Sequence, residues 1–150
     1  MKRTATLIPI CLLLTACGER PTTLEEYYLT PVKLPDGTVI QAEQMREPKD
    51  MMRGMMFRDE LKPDRGMLFS HGGLGKYPYW MYQVRIPLDI VWLNDHLEIV
   101  EISERTPPCK EGPASKCPSY GGHREALYVV EFTAGTVAKH HLKEGSRLEF

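Results

Sequence analysis

Two acidic residues stand inside apolar segments of this chain and are its first candidates for chemistry. Asp89 shares one face of a predicted strand with Val91, and Glu131 shares one face of another with Val129. A carboxylate on an apolar face needs a partner, because burying an isolated charge is costly. If burial separates the pKa values of the two groups, the pair could act as general acid and general base.

The same two residues have a structural interpretation. Each carboxylate could accept hydrogen bonds from Arg53, Arg58, Arg65 or backbone amides and thereby fix the fold. We favour this interpretation, because acidic residues are rarely buried in proteins without such partners. The sequence leaves the distance between Asp89 and Glu131 open.

Aromatic residues crowd beside two glycine-rich segments, residues 72–75 and 121–122. Aromatic side chains next to such loops often line ligand pockets, and an arginine could hold an anionic group there. Core packing is the alternative, and we expect it for Trp80. The sequence predicts a pocket with these candidate residues: Arg58, Arg65, Tyr79, Trp80, Tyr82, Asp89, Tyr120, His123 and Glu131.

Six methionines lie between Met45 and Met67. Thioether sulfur is a soft ligand, so copper(I) binding is one hypothesis, with His71, His123, His140 or His141 as further ligands. Methionine also fills irregular cores, and the spacing of the methionines at positions 51, 52, 55 and 56 fits one packed stripe of a helix. We favour core packing and predict no metal or other cofactor.

The N-terminus has the pattern of an export signal. Lys2 and Arg3 precede an apolar stretch over residues 5–14, which is shorter than the roughly 20 residues of a transmembrane helix. The signal ends in Leu-Thr-Ala before Cys17 and resembles the lipobox of bacterial lipoproteins, in which the cysteine is acylated. We therefore predict a signal peptide over residues 1–16 and a lipidated Cys17 with a polar tether over residues 17–30.

This prediction assigns the protein to the bacterial cell envelope. The acyl chains would anchor it in a membrane on the extracytoplasmic side. The residue after Cys17 is Gly18 rather than an aspartate, which is compatible with sorting to the outer membrane.

Two cysteines, Cys109 and Cys117, remain in the mature chain once Cys11 is removed with the signal and Cys17 is lipidated. In an oxidising compartment they predict one disulfide across a proline-rich loop. A metal site completed by His123 is the alternative, but its spacing is not one that zinc sites use.

Composition narrows the class of protein. The chain has 150 residues and a formal net charge of -1, which suits one domain and argues against a nucleic-acid partner. The sequence also lacks the motifs of serine hydrolases, zincins, P-loop enzymes and dinucleotide-binding folds.

The elements that must position these residues are short. Asp36-Gly37 predicts a hairpin between segments 32–34 and 39–45, and further strands are predicted over 67–70, 79–84, 86–93, 97–103, 126–132 and 147–150. Two helices are predicted, one from Lys49 through the methionines and one over 136–142. A flexible loop is predicted over 71–75. With no β-α-β crossover evident, we predict an α+β domain over residues 31–150: a β-rich, mostly antiparallel, small barrel-like sheet with two short helices.

Several motifs in this domain occur together in a known family. They are residues 52–58 (MRGMMFR), 66–69 (GMLF), 79–81 (YWM) and 86–90 (IPLDI), followed by Gly135 and Gly145. The chain resembles the prokaryotic family called domain of unknown function 192 over about residues 32–150. The resemblance implies a compact, β-rich, often exported domain with no established reaction. Residues 82–85 depart from the Lys-Asn-Thr common in the family.

These observations together favour a membrane-anchored envelope lipoprotein that binds an unidentified ligand or partner protein. An enzyme using Asp89 and Glu131 and a copper-binding module are the alternatives.

Overall fold

A computed structural model describes residues 29–110 and 112–150. The predicted signal peptide, Cys17 and most of the predicted tether lie outside these residues. The first strand begins at Leu29, two residues before the predicted start of the domain at residue 31.

Eight strands make up most of the ordered structure. They are β1 (Leu29–Lys33), β2 (Val39–Met45), β3 (Arg65–Gly75), β4 (Tyr79–Trp80), β5 (Leu88–Leu93), β6 (Ile99–Thr106), β7 (Ser119–Tyr120) and β8 (Ala126–Thr133). The predicted hairpin is present, because β1 and β2 pair antiparallel around the turn that contains Gly37. The domain is therefore β-rich, as predicted.

Two short helices complete the fold, α1 (Pro48–Arg53) and α2 (Thr136–Lys139), with a 3-10 turn at Ala114–Lys116. Proline suits the first turn of α1, where its missing N–H has no acceptor to lose. The helix ends at Arg53, because the φ of 42° and ψ of -123° at Gly54, the next residue, lie outside the helical region. The methionines therefore do not form one helical stripe: Met52 is 70% exposed, and Met55 is buried beyond the end of the helix.

Six strands form one mixed sheet in the order β1-β2-β3-β8-β5-β6, and β4 and β7 form a separate two-stranded sheet. Four of the five pairings in the large sheet are antiparallel, whereas β2 and β3 run parallel. Parallel neighbours need a crossover, and here it contains α1. The expectation that the chain has no such crossover was wrong, because a six-residue helix gives little periodic signal.

The sheet is not a closed barrel. Its two edges are instead connected by the C-terminal segment, in which the Glu149 amide donates to the Lys33 carbonyl at 3.1 Å. The Ile99 amide on the opposite edge donates to the Ser146 carbonyl at 2.8 Å. The predicted last strand, 147–150, is reduced to isolated bridges.

Segment 71–75, predicted as a flexible loop, belongs to the 11-residue strand β3. The pairing of β3 with β8 shifts register between Ser70 and Gly75, so the glycines occupy an irregular strand end. The strand predicted over 79–84 is confined to Tyr79–Trp80.

The large sheet has a hydrophobic cluster on each face, and all six residues of β5 are buried. One cluster contains Val91, Val130 and Phe132, and α2 packs against it through Val137. The other contains Phe69, Ile90 and Trp92 and lies beneath the segments that follow α1 and β4. Because side chains alternate along a strand, the register decides which cluster each acid enters.

Candidate functional site

Asp89 and Glu131 enter opposite faces of the sheet. Strands β5 and β8 are neighbours, and their register pairs Asp89 with Phe132 and Ile90 with Glu131. Directly paired residues share a face, so Asp89 lies on the face of Phe132 and Glu131 on the face of Ile90. The hypothesis that these two carboxylates form a direct acid–base pair is therefore wrong, because the sheet itself lies between them.

The Asp89 carboxylate has a full set of donors. Its Oδ1 accepts the Arg105 amide at 2.7 Å, and its Oδ2 accepts the amides of Gly135 at 2.9 Å and Val137 at 2.8 Å. The side chain has no exposed surface. Arg105 and Gly135 both have positive φ, at 48° and 95°, so Asp89 fixes an irregular position near the end of β6 and the turn that follows β8. This is a structural carboxylate, with backbone amides rather than arginine side chains as its partners.

Glu131 lies in the opposite cluster, where Met67 is its paired residue on β3. Glu131 is 5% exposed, and within the described part of the chain its Oε2 atom has no hydrogen-bond partner. Burial raises the pKa of Glu131 from 4.5 to about 8, although the Arg58 guanidinium acts in the opposite direction. The carboxyl is therefore mostly protonated at neutral pH.

A small cavity of about 30 Å³ lies against Glu131. This volume accommodates a water molecule or a small polar group, since one water needs roughly 10–15 Å³. The side chains that line it include Arg53, Met56, Phe69, Tyr79, Trp80, Tyr82, Val84 and Glu131, with Gly54 among the backbone contributors. Of the predicted pocket residues, Tyr79, Trp80, Tyr82 and Glu131 are therefore brought together.

Like Phe69 and Val84, Gly54 lines the cavity but was not among the predicted pocket residues. A Cβ atom at this position would lie 3.2 Å from Phe69 Cζ and 3.9 Å from Glu131 Oε2. The MRG motif that contains Gly54 could have identified this position, because a glycine directly after a short helix marks a backbone conformation that a side chain would strain.

Aromatic rings form one wall of the cavity. Tyr79 contacts Phe69 and Trp92 edge-to-face, with ring centroids 5.2 and 5.9 Å apart, and Trp80 lies 5.6 Å from Tyr82. Trp80 is 40% exposed, so the expectation that it packs in the core was wrong. The buried tryptophan is Trp92, whose Nε1 donates to the Tyr77 carbonyl at 2.8 Å.

Tyr79 connects this wall to a histidine. Burial and the nearby Glu131 carboxyl raise the pKa of Tyr79 well above its usual value, so the phenol stays neutral. Its hydroxyl lies 3.2 Å from His71 Nε2, and the His71 ring stacks on Tyr77 with centroids 3.6 Å apart. Because burial lowers the pKa of His71, the imidazole is neutral and orients the Tyr79 hydroxyl.

Backbone bonds and a disulfide hold the segment that carries the lining residues Tyr82 and Val84. The Phe57 amide donates to the Gln83 carbonyl at 2.9 Å, and both residues have positive φ, at 66° and 56°. The Gln83 amide donates to the Cys109 carbonyl at 2.8 Å. Cys109 is joined to Cys117, as predicted, so the disulfide ties the proline-rich loop to this segment.

The other predicted pocket residues lie elsewhere. Arg58 and Arg65 line a larger neighbouring groove, and Arg58 holds Glu43 in a two-pronged ion pair at 2.7 and 2.8 Å. Tyr120 pairs with Tyr79 between β4 and β7 without lining the cavity. His123 donates its backbone amide to Glu101, and the two side chains also bond.

The predicted copper ligands do not come together as one set: Met51, Met52, Met55 and Met56 line the cavity, but the predicted histidines do not. His71 bonds to Tyr79, and His140 bonds to Asp36 at 2.7 Å. Met67 and Met81 are fully buried in the core. Among residues 29–110 and 112–150, no group of three His, Cys, Asp or Glu side chains is arranged to hold a metal ion.

The family named domain of unknown function 192 (DUF192), described as "Uncharacterized ACR", matches residues 32–150. The chain belongs to this family. No curated protein matches the chain.

Two solved structures resemble this DUF192 domain. One is a protein of unknown function from Novosphingobium aromaticivorans DSM 12444, with 26% identity and a TM-score of 0.73 over 81% of this chain and 85% of that one. The other, from Sinorhizobium meliloti 1021, is provisionally described as a transcription regulator. It is 28% identical, with a TM-score of 0.68 over 79% of this chain and 89% of its own.

Three of the four motif segments that carry the DUF192 resemblance contribute lining residues to the cavity. Gly54 comes from segment 52–58, Phe69 from segment 66–69, and Tyr79 and Trp80 from segment 79–81. Segments far apart in sequence thus supply the floor and wall around Glu131. The part of the DUF192 domain that the structure describes contains no helix long and apolar enough to cross a membrane.

Proposed function

We propose that this protein is a membrane-anchored envelope lipoprotein whose domain binds a small ligand at the Glu131 cavity. One observation carries the proposal: a buried carboxyl oxygen, Glu131 Oε2, has no partner among the described residues and adjoins a cavity with an aromatic wall. A buried polar atom without a hydrogen bond costs about 1–3 kcal/mol. A ligand that supplies the missing bond recovers this free energy.

The protonation state of Glu131 defines the ligand's polar end. A neutral carboxyl donates one hydrogen bond through its O–H and accepts through its other oxygen. An amide or hydroxyl group matches both roles, and an ammonium group would match if the carboxyl released its proton. The cavity of about 30 Å³ admits only a compact group of this kind.

The exposed rim defines the remainder of the ligand. Trp80 and Met52 are 40% and 70% exposed, and both line the cavity. Flat aromatic and flexible thioether surfaces bind apolar rings without demanding one fixed shape. The ligand class is therefore a compact polar group on an apolar or ring-shaped body that rests against this rim.

The N-terminal sequence supports the location. The signal of residues 1–16 ends at a lipobox-like cysteine, and acylation of Cys17 would hold the domain at an envelope membrane, with the outer membrane as one destination. Labelling cells with a palmitate analogue tests this part. The wild type should be marked and Cys17→Ser should not, whereas equal labelling of both would refute the anchor.

Other functions have less support. The acid–base alternative required Asp89 and Glu131 in one site, and they occupy opposite faces. The copper alternative required methionine and histidine ligands to converge, and the cavity is lined by four methionines but by none of the predicted histidines. With 19 basic and 20 acidic residues, this chain gives no electrostatic reason to transfer the regulator description of the S. meliloti protein.

Three probes with one ring and different polar ends test the cavity: benzamide, benzyl alcohol and benzylamine. Saturation-transfer NMR on the mature protein should detect binding of at least one probe. Trp80→Leu should abolish the signal, because it removes the exposed face of the wall. Phe150→Leu is the matched control, since Phe150 is 37% exposed and does not line the cavity.

Glu131→Leu tests the polar end separately. It should reduce binding of the probe that the wild type prefers, while a circular dichroism spectrum shows whether the fold is kept. Signals that are equal in the wild type, Trp80→Leu and Glu131→Leu would refute a ligand site at this cavity.

A further inference from the structure

A second concave surface lies beside the Glu131 cavity and shares Arg53 and Gly54 with it. It is much larger, with a volume of about 1190 Å³. We name it the basic groove for the residues that dominate its lining: Arg46, Lys49, Arg53, Arg58, Lys62 and Arg65. The ligand-binding role proposed above does not use these side chains beyond Arg53.

The charge of the basic groove is opposite to that of the molecule. Six basic residues line it against four acidic ones, Glu43, Glu47, Asp50 and Glu60, which leaves a formal charge of +2. The whole chain has a net charge of -1. Removal of the signal takes away Lys2 and Arg3, so 17 basic and 20 acidic residues give the mature chain -3.

Most of these cations are available to a ligand. Arg58 forms an ion pair with Glu43, and this acid therefore does not neutralise the other five basic residues. Within residues 29–110 and 112–150, those five make no ion pair with a carboxylate. Arg46, Lys49, Arg53 and Lys62 are exposed, and Arg65 is half-buried.

The cations come from two separate parts of the chain. Arg46 directly follows β2, and Lys49 and Arg53 belong to α1. Lys62 and Arg65 stand at the two ends of one turn, which is closed by the Arg65 amide donating to the Lys62 carbonyl at 2.9 Å. Guanidinium and ammonium groups suit phosphate, because arginine forms bidentate hydrogen bonds with two phosphate oxygens and lysine supplies a compact positive charge.

The position of the tether indicates where the phosphate comes from. Leu29, the first described residue, lines the basic groove, so the chain enters the domain there. The predicted lipidated residue, Cys17, lies 12 residues earlier. Even fully extended, 12 residues span only about 40 Å. An anchored domain would thus hold the groove within reach of the headgroups at a high local concentration.

We infer that the basic groove binds the phosphate groups of anionic phospholipids in the membrane to which the protein is anchored. This inference rests on the proposed lipid anchor but not on the Glu131 cavity. Binding would orient the domain with α1 and the turn at residues 62–65 toward the bilayer.

Lysine footprinting on the mature lipoprotein tests the inference. Intact mass first establishes the acyl chains on Cys17. The protein is then placed in nanodiscs of phosphatidylcholine alone or with phosphatidylglycerol, and its lysines are acetylated. Lys49 and Lys62 should react about fivefold more slowly beside phosphatidylglycerol, the factor expected for one basic residue at an anionic surface. Lys139 and Lys143, exposed and outside the groove, are the internal controls.

A charge reversal provides the matched pair of variants. Arg46→Glu should reduce the protection of Lys49 and Lys62, whereas Lys139→Glu changes the net charge equally and should leave it intact. Protection should also weaken at high salt, because the contact is electrostatic and exposed.

The other outcomes overturn the inference. If each of the four lysines is acetylated at the same rate in both kinds of nanodisc, the groove does not contact headgroups. Protection by dissolved inorganic phosphate but not by phosphatidylglycerol assigns the groove to a soluble phosphate ligand instead. If the mature protein carries no acyl chains, the lipid anchor and the inferred headgroup contact are both refuted. The probe experiment still tests ligand binding at the Glu131 cavity.

Discussion

Asp89 and Glu131 are both buried acids on neighbouring strands of one sheet, but the two faces of the sheet supply them with different numbers of hydrogen-bond donors. On one face, three backbone amides surround the Asp89 carboxylate. On the other, Glu131 keeps an oxygen without a hydrogen bond among the described residues and adjoins a cavity. Burial alone therefore does not distinguish a structural acid from a candidate site. The supply of donors does, because a fully satisfied carboxylate has nothing left to offer a ligand.

The largest expected effect concerns the pH dependence of Glu131. Its folded pKa of about 8 lies above the ordinary 4.5, so between these pH values the folded protein retains a proton that the unfolded chain releases. Stability should therefore fall as pH rises through this window, by at most about 5 kcal/mol. Glu131→Gln cannot titrate and should escape this loss.

Urea unfolding of the wild type and Glu131→Gln at pH 4.5, 6 and 8 measures the difference. Other titrating groups cancel, since both proteins carry them. A difference that stays constant with pH would show that Glu131 is solvated or paired in the folded state, and the contrast with Asp89 would disappear.

Asp89→Asn tests the opposite face. An amide cannot accept three backbone N–H groups without turning its own NH₂ toward one of them, so we expect a loss of about 3 kcal/mol in the free energy of unfolding. Asp59→Asn is the control, because Asp59 is exposed and makes only a surface ion pair with Arg85. That variant should change stability by less than about 1 kcal/mol. If Asp89→Asn unfolds like the wild type, the structural role of Asp89 is wrong.

Replacing both cysteines of the disulfide by serine should cost about 2.5 kcal/mol, because the unfolded loop between residues 109 and 117 is no longer constrained. The effect should be local to the cavity face. Hydrogen exchange at the Gln83 amide, which bonds to Cys109, should accelerate more than exchange at the Arg105 amide, which bonds to Asp89. Equal acceleration of both amides would mean that the disulfide supports the two faces alike.

The smallest expected effect concerns Gly54, which lies over Glu131 and Phe69. Gly54→Ala should cost about 2 kcal/mol, since the alanine adopts a strained backbone and its Cβ approaches Phe69 Cζ to 3.2 Å. Gly37→Ala has a positive φ of 87° but open space, so it should cost only about 1 kcal/mol. Thermal unfolding compares the two variants, and equal losses would show that backbone strain alone accounts for Gly54.

Much of the local structure could be predicted from the sequence. The Asp36-Gly37 turn predicted the β1–β2 hairpin, because its backbone preference is a local property. Alternating apolar residues predicted the strands that carry Asp89 and Glu131. Cys109 and Cys117 predicted the disulfide, because the export signal predicted an oxidising compartment, in which paired cysteines are usually bonded.

The arrangement of the site could not be predicted in this way. Whether Asp89 and Glu131 share a face depends on the register of two strands about forty residues apart, and a shift of one residue would bring them to the same face. The exposure of Trp80 and the burial of Trp92 likewise depend on which segments cover the sheet.

Residue chemistry and local backbone preference thus determined the strands that carry the two acids, the first turn, the disulfide and the two acids worth testing. Tertiary structure alone decided which acid receives backbone donors, which one adjoins a cavity, and where Gly54 and the basic residues meet. The physical reason is that donors, burial and electrostatic neighbours come from segments distant in sequence. Their positions follow from strand pairing and packing rather than from any local preference.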